Sequence, residues 1–255
     1  MKHLLNSKTA ALAATLSIAL SACTEADDGT DLEASEPTID EDVPGYIVVQ
    51  IDSIDDPDTF FTEYANRAGP TLAKHGFVGM VASAEPNRLE GAAPDAWTVV
   101  LQFPSVDAAQ GWYDDPEYVE ARPFRIDSVG QTDMVLFQGL SGADEDLSGY
   151  GGYLVEQSEL VHDADGFEAY LEDSAALLAG FGGSVLLEGE PVTLLEGEWP
   201  DASTRLIGFP TTDAISSWYG SDEYTGLKSQ RLDASEVPSL AGFAKFCVPM
   251  GDGCE

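Results

Sequence analysis

Positive charge is what this chain has least of: 11 lysines and arginines face 46 aspartates and glutamates, a formal net charge of −35 at pH 7. A surface so anionic repels nucleic acid and anionic lipid, which makes both poor partners, and no nucleic acid is expected. The acids are spread along the chain, as in proteins kept soluble in a salty medium. Histidine and cysteine are sparse too, three of each. There is no paired-histidine metal motif, nucleophile elbow, P-loop or dinucleotide fingerprint, which speaks against a conventional triad, a zinc hydrolase and a nucleotide enzyme. No metal and no cofactor is expected. Asp52, Asp55, Asp56 and Asp58 are dense enough to suggest calcium, but they lack the glycine and spaced terminal glutamate of an EF-hand loop and read as solvated surface. No run approaches the roughly 20 apolar residues of a membrane span.

What is present begins with a short apolar run, Ala10 to Leu20, behind the basic Lys2 and Lys8. It is too short to cross a bilayer core of about 30 Å, so residues 1–22 read as a signal peptide. The run ends in Leu20-Ser21-Ala22-Cys23, which resembles the lipobox of bacterial lipoproteins. That resemblance implies cleavage before Cys23 and acylation of its thiol, and hence a chain held by a lipid anchor at the bacterial envelope. Residues 23–44 carry nine carboxylates and no lysine or arginine, the composition of a solvated tether. At the other end, Cys247 and Cys254 in the tail 247–255 most simply form a local disulfide, because an exported protein meets oxidising conditions.

Between these ends the chain repeats itself. From Phe61 onward, adding 106 to a residue number finds its twin. Tyr64 maps to Tyr170, Gly76 to Gly182, and Leu89-Glu90-Gly91 to Leu195-Glu196-Gly197. Trp112-Tyr113 maps to Trp218-Tyr219, Tyr118 to Tyr224, and Arg125 to Arg231. Before Phe61 the offset is 107, pairing Gly45-Tyr46 with Gly152-Tyr153 and Asp56 with Asp163. The first copy therefore has one inserted residue in its first connection, between Asp56 and Phe61.

Each copy reads as strand, helix, strand, strand, helix, strand. Tyr46 to Ile51 is a β-branched run suited to a central strand. Asp56 caps a helix with Pro57 at its first position, Phe61, Tyr64, Ala65, Ala68 and Leu72 form its buried stripe, and Gly76 ends it. Pro70 is expected to kink it. Phe77 to Ala82 and Thr98 to Phe103 are the middle strands, with Gly91 to Asp95 a turn-rich break. Ser105 caps the second helix, Pro116 to Arg122 adds a helical turn, and Thr132 to Gln138 closes the copy. In the second copy Phe167, Tyr170, Leu171, Leu177 and Leu178 form the helix stripe, and Ser239 to Phe246 is the last strand. The chain is thus α+β, with ferredoxin-like βαββαβ domains at 45–139 and 152–246 joined by a linker at 140–151.

The Gly-Tyr opening, Leu89-Glu90-Gly91, Phe103-Pro104-Ser105 and the run from Trp112 to Tyr118 resemble the bacterial domain of unknown function family 1330. That ferredoxin-like group is allied to the dimeric α/β-barrel proteins. The second copy departs at Ser221-Asp222, where the first has a proline. The resemblance implies two sheets packed face to face, an intramolecular dimeric α/β barrel in which one chain is its own pseudo-dimer. It also implies a basic residue opening the third strand, which Arg205 supplies in the second copy and Val99 does not in the first. Any site is therefore expected to be asymmetric.

Trp112, Tyr113 and Tyr118, with Trp218, Tyr219 and Tyr224, either line an aromatic pocket at the mouth of each sheet or anchor the second helix. Their hydroxyls need partners, which Arg125 and Arg231 could supply. Glu90 and Glu196 end a strand just before glycine, where an acid can serve as base, orient a ligand or pair with an arginine. Arg125 and Arg231 stand as ion-pair members or as an anion clamp. Three functions follow: binding of a small, partly apolar molecule, a cofactor-independent oxygenase or isomerase as in some dimeric α/β-barrel relatives, or an assembly role. An enclosed cavity with these charged residues pointing inward favours the first two. Sheets sealed by apolar side chains count against both.

Overall fold

The computed structural model describes residues 39–83, 87–91, 97–142, 147–200 and 202–244. The signal peptide, Cys23, most of the tether, Cys247 and Cys254 lie outside them.

In the first copy β1 (Gly45–Ile51) runs between β4 (Trp97–Phe103) and β5 (Thr132–Gln138), with β2 (Gly79–Ser83) beyond β4, all antiparallel. In the second, β6 (Gly152–Val161) runs between β9 (Ser203–Phe209) and β10 (Ser235–Ala244), with β7 (Ser184–Gly189) beyond β9. The registers correspond pair for pair: Val49 faces Val99 in one sheet, and their twins Glu156 and Arg205 face each other in the other. The last strand begins at Ser235 rather than Ser239, because the chain leaves the preceding helix directly into the sheet.

Each copy also contains a short strand that the sequence pattern does not announce. β3 (Asn87–Glu90) and β8 (Thr193–Glu196) are each four residues long, and each leaves its own copy. β3 pairs with β10 and β8 pairs with β5, so each sheet has five strands, the fifth lent by the twin. The four strands expected per copy are thus five, and the Leu-Glu-Gly segment is a crossing arm. The arms cover edges of β5 and β10 that would otherwise offer unpaired backbone groups.

The two sheets pack face to face. Tyr46, Val48 and Phe137 of one meet Tyr153, Val155 and Phe243 of the other. Leu147 and Tyr150, from the segment expected to be a plain linker, are buried in the same layer. The outer faces carry the helices: α2 (Val106–Tyr113) and α3 (Pro116–Ile126) on the first sheet, α4 (Ala164–Gly180), α5 (Thr212–Tyr219) and α6 (Asp222–Ala234) on the second. Side-chain caps start them, Ser105 Oγ accepting from the Ala108 N–H and Thr211 Oγ1 from the Ala214 N–H. α3 runs one turn past Arg122, bringing Arg125 into the structure's interior. The Gly-Tyr opening has a steric cause: a Cβ on Gly45 would collide with the Ser105–Val106 backbone, and one on Gly152 with Thr211–Thr212.

The first helix differs between copies. In the second it is the unbroken α4. In the first it is a π-helix over Thr59–Tyr64, α1 (Ala65–Leu72) containing Pro70, and a 3₁₀ turn over Ala73–His75 closed by Gly76 at φ 71°. The π turn falls where the inserted residue lies, since one extra residue in a helix is absorbed as a wider i→i+5 turn. It also moves Phe61 out of the buried stripe to 48% exposure, whereas its twin Phe167 stays buried. Asp56, far from joining a calcium cluster, accepts from the Thr59 N–H and hydroxyl at the start of this helix.

Candidate functional site

Each crossing arm ends on a glutamate that meets an arginine of the other copy. Arg125, 2% exposed on α3, donates through Nη2 to both Glu196 oxygens at 2.6 Å. Arg231, buried on α6, donates to Glu90 Oε2 at 2.7 Å, and Lys228 Nζ lies 3.0 Å from the other oxygen. Of the roles open to Glu90 and Glu196, the structure shows pairing with the arginines, and the pairing is reciprocal between the copies.

The Trp-Tyr pairs divide between core and arm. Trp112 and Trp218 are buried and tilted against Tyr118 and Tyr224, with ring centroids 4.0 Å apart in each copy. Tyr113 instead donates to the Leu195 carbonyl at 3.0 Å and to Glu196 at 3.1 Å, and Tyr219 donates to the Leu89 carbonyl at 3.2 Å. The arginines do not satisfy the remaining hydroxyls: those of Tyr118 and Tyr224 lie instead against the hydroxyls of Tyr64 and Tyr170. The guanidinium groups are committed to the arms, a competition the sequence does not display.

The layer between the sheets is filled by apolar side chains of both copies. On the opposite face of the first sheet, beneath its π turn and α1, is a cavity of about 350 Å³. Val49, Val99 and Ala82 form its floor, Tyr64 and Ala68 its roof, and Phe61 and Trp97 stand 6.2 Å apart at one edge. Its size lies within the range of small-molecule sites. Its lining is apolar except for Tyr64 and one charged group, Arg125. That arginine keeps two buried nitrogens, Nε and Nη1, without a hydrogen-bond partner among the described residues.

The electrostatics of this end of the cavity are set by burial and close neighbours. Burial opposes the charge on Arg125, but Tyr118, Tyr64 and Glu196 outweigh it and hold the guanidinium protonated. Burial, with Tyr118 next, pushes the Tyr64 hydroxyl well above its ordinary value. Burial followed by Glu196 does the same to Tyr113. At neutral pH this corner therefore presents a cation and neutral hydroxyls, which are donors.

The second copy fills the corresponding space with its own charges. Glu156, Arg205 and Glu188 stand where the first copy has Val49, Val99 and Ala82. Arg205 Nε lies 2.9 Å from Glu188, its Nη1 donates to Ser174 Oγ at 2.8 Å, and Glu156 lies 3.9 Å away. Tyr170 donates to both Glu156 oxygens at 2.9 and 2.8 Å. Arg205 therefore belongs to a buried ionic network, and the asymmetry expected from Val99 extends to the whole floor.

Two antiparallel sheets sharing a face, each backed by helices and closed by the other's arm, define a tandem dimeric α/β-barrel fold. The profile described as Domain of unknown function (DUF1330) matches residues 44–140 and again 151–241. The chain belongs to that family, in two tandem copies. No curated protein matches it. Among solved structures it is similar to a protein of Fusobacterium nucleatum provisionally assigned as a monooxygenase, at 11% identity and TM-score 0.52, over 80% of this chain and 93% of that one. It is also similar to an anthrone oxidase-like protein, at 12% identity and TM-score 0.51, over 81% and 92%. Both matches exceed the length of one copy, so the tandem arrangement itself is shared.

Proposed function

We propose that the chain is a binding protein whose first copy holds a small, mostly apolar molecule between its sheet and its first helix. The observation that carries this is the cavity: an apolar chamber of ligand size, in the copy whose helix has been widened by a π turn. Apolar burial at roughly 25 cal/mol per Å² supplies the driving force. Replacing Val99 with phenylalanine fills the floor without breaking any ion pair. Titration with the neutral fluorescent probe N-phenyl-1-naphthylamine is expected to show binding to the parent chain and about ten-fold weaker binding to Val99→Phe, a loss of roughly 1.4 kcal/mol. Equal affinity in the two would overturn the reading. The oxygenase names of the structural relatives come with a shared fold alone, so catalysis is left out of the proposal.

The same reading places the protein at the bacterial envelope, held through a lipid at Cys23. Its support is the Leu-Ser-Ala-Cys string behind a short apolar run. Cys23→Ser is expected to move the protein from the membrane to the soluble fraction; unchanged fractionation would count against an anchor.

A further inference from the structure

The two copies serve as each other's control. In the second, the corner formed by Tyr170, Tyr224 and Arg231 is occupied by a carboxylate, that of Glu156. The Tyr170 hydroxyl donates to both of its oxygens, and among the charged neighbours of Arg231 it acts most strongly. The first copy keeps the same three groups, Tyr64, Tyr118 and Arg125, at equivalent positions. It has Val49 in place of Glu156, so among the described residues the corner contains donors and a cation but no acid except Glu196, which engages Arg125 through Nη2 only. Nε and Nη1 of Arg125 are buried without hydrogen-bond partners among the described residues, as are those of Arg231, but Arg125 lines the cavity, where a ligand can reach it. Leaving such donors unmet in a buried site is costly, and a ligand that meets them gains what the protein otherwise forgoes.

We propose that the ligand of the first copy is an apolar molecule ending in a carboxylate, whose oxygens take the place that the Glu156 carboxylate holds in the second copy. The proposal rests on the binding reading above and names its ligand class. The apolar body lies over Val49, Val99 and Ala82, and the acid meets Arg125 and Tyr64. A guanidinium suits this because Nε–H or Nη1–H can give the ligand a charge-assisted hydrogen bond while Nη2 stays on Glu196. In the second copy the site is closed by the protein's own acid and by Arg205 above it, so one site per chain is expected.

Calorimetry with decanoate and decan-1-ol, matched in length and differing at the end group, tests this on the intact chain. Decanoate is expected to bind at least about ten-fold more tightly than decanol at neutral pH, with one site per chain. Equal affinity overturns this inference and leaves the binding reading in place; binding of neither overturns both. Val49→Glu installs the second copy's acid in the first and is expected to cost decanoate about ten-fold more affinity than decanol, through occupation of the corner and like-charge repulsion. Equal losses for the two would overturn the placement of the carboxylate. Arg125→Met combined with Glu196→Met removes the buried cation and its partner together, leaving only the partly exposed Arg122, whose Nε lies 3.9 Å from Glu196, without that acid. Decanoate and decanol are then expected to bind alike, and a preserved preference for the acid would overturn the role of Arg125.

Discussion

Replacing Glu196 with alanine is expected to destabilise the chain by about 3–5 kcal/mol in urea unfolding, because it strands Arg125 as an uncompensated buried charge. Arg125 is 2% exposed and Glu196 17%, so solvent does little to screen or replace the pair. The same change removes an acceptor of the Tyr113 hydroxyl and loosens the end of β8 on β5. Arg125→Met with Glu196→Met is expected to recover most of the loss, since apolar groups of similar volume avoid the desolvation that the ion pair must offset. Glu63→Ala provides the contrast. Its pair with Arg67 is about half exposed on both sides, and breaking such a pair changes stability by under about 0.5 kcal/mol. A Glu196→Ala effect as small as that of Glu63→Ala would show that the arms are not locked by these pairs.

The second large effect lies in the other copy. Glu156→Ala leaves Arg205 facing only Glu188 and deprives Tyr170 of its acceptor, and is expected to cost about 3–5 kcal/mol as well. The informative variant is the triple change Glu156→Val, Arg205→Val and Glu188→Ala, which gives the second copy the floor of the first. Removing all the charges together avoids stranding any, so the triple variant is expected to be more stable than Glu156→Ala alone. It should also empty the space beneath α4 and raise the binding of N-phenyl-1-naphthylamine from one site per chain to two. Stoichiometry that stays at one would show that the π turn, rather than the floor, opens the first cavity. In that case Phe60 and Tyr64 on the wider turn, not Val49 and Val99, make the site.

Much of this architecture is legible in the residues. The duplication follows from identities at a constant offset, and the single slip in that offset locates the residue that becomes the π turn. Gly45 and Gly152 carry the family's opening because no side chain fits against the next helix's first turn. Phe61 misleads, since helical spacing assumes 3.6 residues per turn and the wider turn breaks that count. β3 and β8 are missed because four-residue segments ending on a charge are too short to show a strand period, and the partner of each lies in the other copy. The cavity floor was half visible: Val99 against Arg205 is apparent in the repeat, and so are Val49 against Glu156 and Ala82 against Glu188. Only the sheet register shows that all three pairs are neighbours on one face.

What the sequence determines by itself is local or periodic: the repeat, the strand and helix order, the caps, the scarcity of cations and the family. What the tertiary structure decides is who meets whom. Arg125 and Glu196 belong to different copies, and no spacing rule links them until the arms cross. The cavity likewise depends on which face of β1 and β4 meets the widened helix, so its chemistry emerges from packing between segments and not from any one of them.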